Sequence, residues 1–294
     1  MPKRKHFQVK LASRTLCLGQ RTLVMGVLNV TPDSFSDGGK FLDPQRAIEH
    51  ALAIERAGAD LLNIGGESTR PGSSGTPAEE ELARILPVLE GLGGRLKIPI
   101  SIDTQKAEVA EAAIAAGAEI INDISGLKND PRLAGVAARN RVPLILMHMR
   151  GQPRSMQEGP FARNVIQDVS RGLRASAAIA REAGVAKSQL IVDPGIGFGK
   201  SFSQNYELLA KLPELAKLGF PLMVGTSRKG FLGATLGCNG KPAPPEERIW
   251  GTAATVTACI LGGAHIIRVH DVLEMVQVAR VADCLLDSCV LASS

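Results

Sequence analysis

Aromatic residues are scarce in this sequence of 294 residues, which contains eight Phe, one Trp and one Tyr. A hydrophobic core must therefore consist mainly of Ala, Val, Ile and Leu. Together with 31 Gly, this aliphatic bias favours closely packed strands and helices over a β-sandwich. The shortage also argues against a nucleic-acid-binding module, since many such modules stack bases on aromatic rings.

Long apolar runs are absent as well. No segment reaches the roughly 18 consecutive apolar residues that predict a membrane-spanning helix. The nearest candidate, residues 252–269, contains Gly262, His265 and Arg268. The amino terminus, MPKRKHFQVK, is basic but lacks the apolar segment of a secretory signal. We therefore expect no membrane partner and a cytoplasmic location.

Paired cysteines and metal-binding clusters are also missing. The five cysteines form no C-x-x-C pair, so we expect free thiols in a reducing compartment. No grouping of His, Cys, Asp and Glu has the spacing of a zinc site, and no G-x-S-x-G turn predicts a nucleophilic serine. The net charge of +5 indicates an anionic partner without naming it, and we expect the basic amino terminus to be a solvated tail.

Short aliphatic runs alternate with amphipathic helical stretches along the chain, as in parallel strands covered on both faces. The runs are Leu23–Asn29, Leu61–Gly65, Ile98–Asp103, Glu119–Ile124, Pro143–Met149, Leu190–Pro194, Pro221–Thr226 and Ile266–His270. Eight such units without a break in composition predict an α/β fold, namely one (β/α)8 TIM barrel, with a doubly wound sheet as the alternative. We assign residues 1–22 to a tail and hairpin that cap the barrel bottom, and 23–294 to the barrel.

Polar residues occur at the carboxyl end of every predicted strand, where barrels of this kind carry their active sites. The strand ends supply Asn29, Asp103, Asn122, Asp123, His148, Asp193, Arg268 and His270, and the following loops include TPDSFSDGG (31–39), GGESTRPG (65–72), DPGIGFGK (193–200) and SRK (227–229). Helix capping explains a single aspartate in such a place. Polar residues at all eight strand ends indicate a functional site.

These residues divide into two groups. Asp103, Asn122 and Asp193 surround a common centre with few cations, which suits a flat heterocycle that offers adjacent N–H donors. Lys229 supplies a donor to the ring from the opposite side. Arg70, Arg268 and His270, with the hydroxyl of Thr69, form an anion site, because arginine fits phosphate oxygens bidentately.

Two further features have competing interpretations. The segment PGIGFGKS (194–201) is similar to a phosphate-binding Walker A loop, but Pro194 stands where the first glycine belongs, so we do not count it as one. His148 follows an aliphatic run and is either a core histidine or a ligand contact.

At these residues the sequence resembles the dihydropteroate synthase family of folate biosynthesis over essentially its whole length. The segments that carry the resemblance are MGVLNVTPDSFSDGG (25–39), GGESTRPG (65–72), SIDTQK (101–106), IINDISG (120–126), LMHM (146–149), DPGIGFGK (193–200), VGTSRK (224–229) and HIIRVHD (265–271). The resemblance implies a (β/α)8 barrel, a homodimer, and Mg2+-assisted condensation of 6-hydroxymethyl-7,8-dihydropterin diphosphate with 4-aminobenzoate to give 7,8-dihydropteroate and diphosphate.

The resemblance also implies a role for individual residues. Asn29 is the implied protein ligand of Mg2+, and Asp37 lies in the first loop, where it assists catalysis. The implied pterin contacts are Asp103, Asn122, Asp193 and Lys229, with Met147 and Phe198 as apolar walls. The implied diphosphate contacts are Thr69, Arg70, Arg268 and His270, and the implied aminobenzoate pocket consists of Phe35, Pro71 and Ser227. Catalysis is thus expected from Asp37, Arg70, Lys229, Arg268 and His270.

One departure is visible, because Asn63 stands where many members of the family carry Asp. Two alternatives are weighed against the synthase. A corrinoid-linked methyltransferase reads the same ring but needs neither the TPDSFSDGG loop nor the pair Arg268 and His270, and both are present. A non-catalytic pterin-binding protein would be indicated by loss of Asn29, Arg70 or Arg268, and all three are intact.

Overall fold

The computed structural model describes residues 4–31, 43–68, 73, 75–152, 156 and 158–291, with side chains to residue 288. Ten strands are assigned in the described chain. They are β1 (Phe7–Lys10), β2 (Thr15–Leu18), β3 (Leu23–Asn29), β4 (Leu61–Gly65), β5 (Ile100–Asp103), β6 (Ile120–Asp123), β7 (Leu144–Met147), β8 (Leu190–Asp193), β9 (Met223–Val224) and β10 (Ile266–Val269).

Strands β3 to β10 form one parallel sheet in the order β8-β7-β6-β5-β4-β3-β10-β9. A parallel bridge between Val192 and Leu222 brings the two ends of this sheet together. The result is a nearly closed eight-stranded barrel, which confirms the predicted fold and sets aside the doubly wound sheet. We call the end where the strands finish the mouth, and the opposite end the bottom.

Helices cover the outside of the barrel. In the described chain they are α1 (Pro44–Arg56), α2 (Ala78–Leu92), α3 (Ala107–Ala115), α4 (Arg132–Asn140), α5 (Val165–Glu182), α6 (Phe202–Ala210), α7 (Leu212–Ala216), α8 (Gly230–Leu236), α9 (Ile249–Leu261) and α10 (Val272–Leu291), with short 3-10 turns at Lys187–Gln189 and Pro245–Arg248. Aliphatic residues on the outer faces of the strands and the inner faces of these helices form one large buried cluster.

Local chemistry fixes several helix ends. Asp43 caps α1, since its Oδ1 accepts the backbone N–H of Gln45 at 2.9 Å. Ser201 and Gln204 form a capping box at the start of α6. The helical periodicity predicts one continuous helix over 205–218, but α6 and α7 are separate because Pro213 has no N–H for the helical ladder.

The amino-terminal hairpin packs against the bottom of the barrel. Strands β1 and β2 pair antiparallel. Val9, Leu11, Leu16 and Leu18 are buried in one cluster with the inward residues at the beginnings of the barrel strands. The hairpin thereby keeps water from the bottom of the barrel and leaves the mouth as the open end.

No helix of the described chain is both long enough and apolar enough to cross a bilayer.

Candidate active site

The barrel interior changes from apolar to polar between the bottom and the mouth. Alternate residues of a strand share one face, so every second residue points inward. At the bottom the inward residues are Leu23, Met25, Leu61, Ile120, Ile145, Ile191, Met223 and Ile266. Two positions further along the same strands are Val27, Asn63, Asn122, Met147, Asp193, Gly225 and Arg268. The period of two therefore places the predicted residues around the mouth.

Asp103 is held by two donors in the mouth. Its Oδ2 accepts Nη1 of Arg268 at 3.0 Å and Nδ2 of Asn63 at 2.9 Å. Both members of the Asp103–Arg268 ion pair are largely buried, with side-chain exposures of 14% and 13%. The expectation of few cations beside the ring-reading carboxylates is therefore wrong. Arg268 spans both predicted halves of the site, because its side chain reaches from β10 to Asp103 on β5, past the two strands that lie between them in the sheet.

Asp193 and Lys229 are two buried ionisable groups whose pKa values are both shifted towards the neutral form. Asp193 is 3% exposed, and its Oδ1 accepts the backbone N–H of Gly195 at 2.7 Å. Burial raises the pKa of Asp193. Burial, and then the charge of Arg268, lower the pKa of Lys229 to about 7. Buried ionisable groups with shifted pKa values in one cleft are typical of functional sites.

The loop after β8 lies directly against the end of β7. Gly195 has φ +66°, and a Cβ atom there would lie 2.0 Å from the carbonyl oxygen of His148. Gly199 has φ +65°, and its Cβ would lie 2.0 Å from the carbonyl oxygen of Arg150. Only glycine permits both the left-handed conformation and this approach. The close approach of this loop to the end of β7 thus accounts for the spacing of the glycines in DPGIGFGK, and no bound phosphate is needed to explain it.

Lys200 fastens this loop from inside the protein. Its Nζ donates to the carbonyl oxygens of Phe198 at 2.9 Å and His148 at 3.1 Å, and lies 3.2 Å from Nδ1 of His148. Lys200 is 1% exposed, so its ammonium is not available to a phosphate in the way that a Walker A lysine is. The burial of Lys200 agrees with leaving the segment out of the phosphate-binding loops.

His148 belongs to the same internal network and faces away from the barrel interior. Its Nε2 lies 3.6 Å from Oδ2 of Asp168, and burial lowers its pKa to about 2. The structure therefore supports the core interpretation of His148.

Met147 and Phe198 provide apolar surface beside these polar groups. They are buried in one cluster with Ile124, Met149 and Met156. The Nζ atom of Lys229 lies 4.0 Å from the centroid of the Phe198 ring, a cation–π distance. A flat ligand in the mouth would therefore meet apolar walls and polar edges together.

His270 and Ser227 approach each other at the mouth. The Ser227 Oγ lies 3.0 Å from Nδ1 of His270 and accepts the His270 backbone N–H at 3.2 Å. Burial, followed by the charge of Arg268, lowers the pKa of His270 to about 3. In the unliganded site His270 is therefore a neutral ring that can hydrogen-bond.

Some predicted residues lie outside the described residues. They are Phe35 and Asp37 in the first loop and Thr69, Arg70 and Pro71 in the second. Their assigned roles stay predictions from sequence.

Asn29 ends β3 at the mouth, next to Gly65 of β4. Among the described residues, no group of three or more His, Cys, Asp or Glu side chains could hold a metal ion. Mg2+ usually keeps several waters and binds through substrate phosphates with one or two protein oxygens. The amide oxygen of Asn29 fits an ion that arrives with a diphosphate, and it does not fit a resident metal centre.

Asn63 and Lys200 were not assigned to the site from sequence. The signal for Asn63 was present, since it is a polar residue inside a buried aliphatic strand and shares its face with Gly65. Lys200 gave no such signal, because its partners are backbone carbonyls of a neighbouring loop.

Comparison with known proteins identifies relatives of this chain. A family described as pterin binding enzyme matches residues 25–270. The chain is 49% identical over 267 residues to the dihydropteroate synthase of Synechocystis, and the match covers 91% of each protein.

Solved structures agree with these relatives. The dihydropteroate synthase of Yersinia pestis in a sulfonamide drug complex has a TM-score of 0.88 and 42% identity, with coverage of 96% of this chain and 100% of that chain. The Xanthomonas albilineans dihydropteroate synthase in complex with 7,8-dihydropteroate has a TM-score of 0.84 and 41% identity, with coverage of 95% and 98%.

Proposed function

The chain belongs to the dihydropteroate synthase family of pterin-binding enzymes, and we propose that it condenses 6-hydroxymethyl-7,8-dihydropterin diphosphate with 4-aminobenzoate. The products are 7,8-dihydropteroate and diphosphate, which makes the protein a transferase of folate biosynthesis. The observation that carries the proposal is the ring of inward polar residues at the mouth, beside apolar walls and with the bottom closed. Such an arrangement holds one flat polar substrate at a single open end.

The pterin ring is read by Asp103, Asn122, Asp193 and Lys229. A carboxylate accepts two parallel N–H bonds, which matches the adjacent N–H groups of a pterin. Asp193 and Asp103 offer such acceptors on strands that lie apart in the barrel, and Met147 and Phe198 cover the faces of the ring. Because a ligand N–H favours the ionised form of Asp193, binding relieves the penalty that burial imposes on it.

The diphosphate is held by Arg268 and His270, with Thr69 and Arg70 from the second loop. Negative charge develops on the leaving diphosphate as the exocyclic C–O bond breaks, and donors fixed in place stabilise it best. Arg268 donates its guanidinium N–H groups. If Ser227 donates its hydrogen to Nδ1 of His270, the Nε2–H of His270 is free to donate to a phosphate oxygen. When bound with the diphosphate at Asn29, Mg2+ supplies further positive charge.

The second substrate attacks the electron-poor methylene left by C–O cleavage. Asp37 stabilises this carbon, and Phe35, Pro71 and Ser227 hold the 4-aminobenzoate. Its neutral amine forms the new C–N bond and then loses a proton, so no enzyme nucleophile is required. Because sulfonamides resemble 4-aminobenzoate, and a relative has been solved in a sulfonamide drug complex, we expect a simple sulfonamide to compete with it.

A homodimer is also part of the proposal. Trp250 at the start of α9 is 79% exposed, and Leu273, Val281 and Leu285 on α10 are 57%, 63% and 51% exposed. Exposed apolar side chains on two packed helices mark a surface that a second copy would cover. Light scattering after size-exclusion chromatography tests this, and a monomer at micromolar concentration would contradict it. We further propose a cytoplasmic location, in keeping with the free thiols of Cys17, Cys238, Cys259 and Cys284.

The function is tested with purified protein, pterin diphosphate, radiolabelled 4-aminobenzoate and Mg2+. We expect stoichiometric formation of dihydropteroate and diphosphate. Absence of the product, together with methyl transfer from a methylated pterin to a corrinoid acceptor, would overturn the proposal.

A further inference from the structure

Asn63 connects two residues that are proposed to read the pterin. It lies on β4 with 1% of its surface exposed, between Asp103 on β5 and Asn122 on β6 in the hydrogen-bond network. Its Nδ2 donates to Oδ2 of Asp103 at 2.9 Å. Its Oδ1 accepts Nδ2 of Asn122 at the longer distance of 3.4 Å.

The hydrogen bonds from Asn122 to Asn63 and from Asn63 to Asp103 form a relay. Its direction is set by the carboxylate of Asp103. An ionised carboxylate has acceptors only, so Asn63 must turn its NH2 group towards Asp103 and its oxygen towards Asn122. Asn122 must in turn direct its own NH2 group at that oxygen. Arg268 Nη1 also donates to Oδ2 of Asp103, at 3.0 Å, so two donors converge on this acceptor.

The relay leaves one acceptor unused. The Oδ1 atom of Asn122 is buried and has no hydrogen-bond partner among the described residues. Buried acceptors without partners are uncommon because the lost hydration is not replaced. Asn122 shares its strand face with Ile120, which points into the barrel, so this oxygen belongs to the interior of the mouth.

We propose that Asn63 is a positioning residue, which holds Oδ1 of Asn122 as an acceptor for an N–H group of the pterin. This inference rests on the proposed function, since the pterin is the substrate assigned there. It adds a residue that does not itself touch the ring but fixes the orientation of one that does.

The identity of residue 63 also decides how the relay responds to pH. An aspartate there would still accept a hydrogen bond from Asn122. Its carboxylate would, however, lie as close to Asp103 as the Asn63 amide does, whose Nδ2 atom is 2.9 Å from Oδ2 of Asp103. Two carboxylates so close share one proton. The other charged groups around them are Arg268, Lys229, Asp193 and Asp123. With asparagine the relay needs no shared proton.

The test compares Asn63→Asp, Asn63→Leu and, as a control with the same chemical change outside the barrel, Asn140→Asp at the end of α4. Binding of 6-hydroxymethyl-7,8-dihydropterin without its diphosphate is measured by calorimetry between pH 5 and 9. Turnover and the Michaelis constant for the aminobenzoate substrate are measured in parallel. Circular dichroism establishes that each variant is folded.

For Asn63→Leu we expect the pterin Kd to rise about tenfold at every pH, which corresponds to loss of one oriented hydrogen bond of about 1.4 kcal/mol. For Asn63→Asp we expect a Kd close to that of the wild type at low pH and a rise of up to tenfold per pH unit once the shared proton is lost. The Michaelis constant for the aminobenzoate substrate should not change in these variants, and Asn140→Asp should bind the pterin as the wild type does.

A tenfold rise of the pterin Kd at low pH in folded Asn63→Asp overturns the inference even if Asn63→Leu fails to fold, because this variant still offers Asn122 an acceptor. A wild-type Kd in folded Asn63→Leu also overturns it. Failure of the proposed function gives a different result. The variants would then bind the pterin as expected here, but the wild-type protein would form no dihydropteroate.

Discussion

The bottom and the mouth of the barrel use the same strand faces for opposite purposes. Leu61 and Asn63 are inward neighbours on β4, and Ile191 and Asp193 are inward neighbours on β8. At the bottom, the inward residues of the described strands that are buried with the hairpin are all apolar. At the mouth, the corresponding positions include the buried charges of Asp193 and Arg268, and the Oδ1 atom of Asn122 has no partner among the described residues. A shift of two residues along a strand thus separates a stabilising layer from a reactive one.

This contrast indicates where the protein gains stability and where it gives stability up. Burial of aliphatic side chains contributes roughly 25 cal/mol for each Å² removed from water. Burial of Asp193 and Lys229 works in the opposite direction, because both pKa values shift towards the neutral form. Polar groups arranged in advance for a ligand reduce the stability of the unliganded protein. Substitutions at the two ends should therefore have separable effects.

The largest effect is expected at the mouth, from Arg268→Ala. Loss of a fixed cation beside the leaving diphosphate should lower kcat by about 100- to 1000-fold. Single-turnover release of diphosphate measures this change. Arg139→Ala is the matched control, since Arg139 forms an exposed ion pair with Glu111 outside the barrel. Release at the wild-type rate in Arg268→Ala would show that Arg268 does not act on the leaving group.

The next largest effect is expected at the bottom, from Leu18→Ala in the hairpin. Leu18 is 1% exposed, and its truncation should lower the free energy of unfolding by about 3 kcal/mol. Urea denaturation measures the loss, and kcat/KM should remain within about twofold because the change is distant from the mouth. Val9→Ala, which removes less volume from the same cluster, should have a smaller effect. A large loss of kcat/KM in folded Leu18→Ala would contradict the separation of the two ends.

The barrel itself was predictable from the sequence. Buried parallel strands appear as aliphatic runs, and the bounds Leu23–Asn29 and Leu61–Gly65 are predicted as the structure has them. Helix α8 is not predicted, because Gly230 and Gly233 lower helix propensity in a segment of only seven residues. Periodicity alone also joins α6 to α7, although Pro213 signals their division.

The site was predictable as a set of residues but not as a network. The period of two carries Asp103, Asn122 and Asp193 to one end of the barrel whatever the details of packing. The ion pair between Asp103 and Arg268 joins residues that are 165 positions apart, and no local pattern encodes it. The neutral state of His270 follows from burial, which sequence does not give.

A smaller effect at the mouth is expected from pH. The lowered pKa of Lys229, about 7, means that its ammonium is present below pH 7 and is lost above it. Since kcat/KM reports groups of the free enzyme, kcat/KM for the pterin diphosphate should fall above pH 7, approaching about tenfold per pH unit. Steady-state kinetics from pH 6 to 9 measure the profile.

Lys229→Met provides the control for this titration. The variant should be less active and should lack the decline above pH 7, although Lys200, with a pKa also lowered to about 7, is still present. A decline that persists in Lys229→Met would assign the titration to another group.

The smallest effect is expected from Asp193→Asn, and it has opposite signs for stability and function. The folded protein raises the pKa of Asp193, so the ionised form is destabilising at neutral pH. A neutral amide keeps an oxygen for the Gly195 N–H and removes that penalty, which should stabilise the unliganded protein by about 1 kcal/mol. The gain should shrink once pH falls below the raised pKa and vanish below the ordinary pKa of aspartate, where the carboxyl is neutral in both the folded and the unfolded protein.

Thermal melts at pH 7.5 and 5 measure this change, with an expected rise in Tm of about 2–4 °C at the higher pH and loss of the stabilisation that the pterin gives. Asp130→Asn is the control of opposite sign, because hydrogen bonds from Arg132 lower the pKa of Asp130 and its neutralisation should reduce Tm. A lower Tm in Asp193→Asn at pH 7.5 would mean that the mouth is stabilised by its buried carboxylate. The contrast between a stabilising bottom and a reactive mouth would then be lost at the residue where it is expected to be clearest.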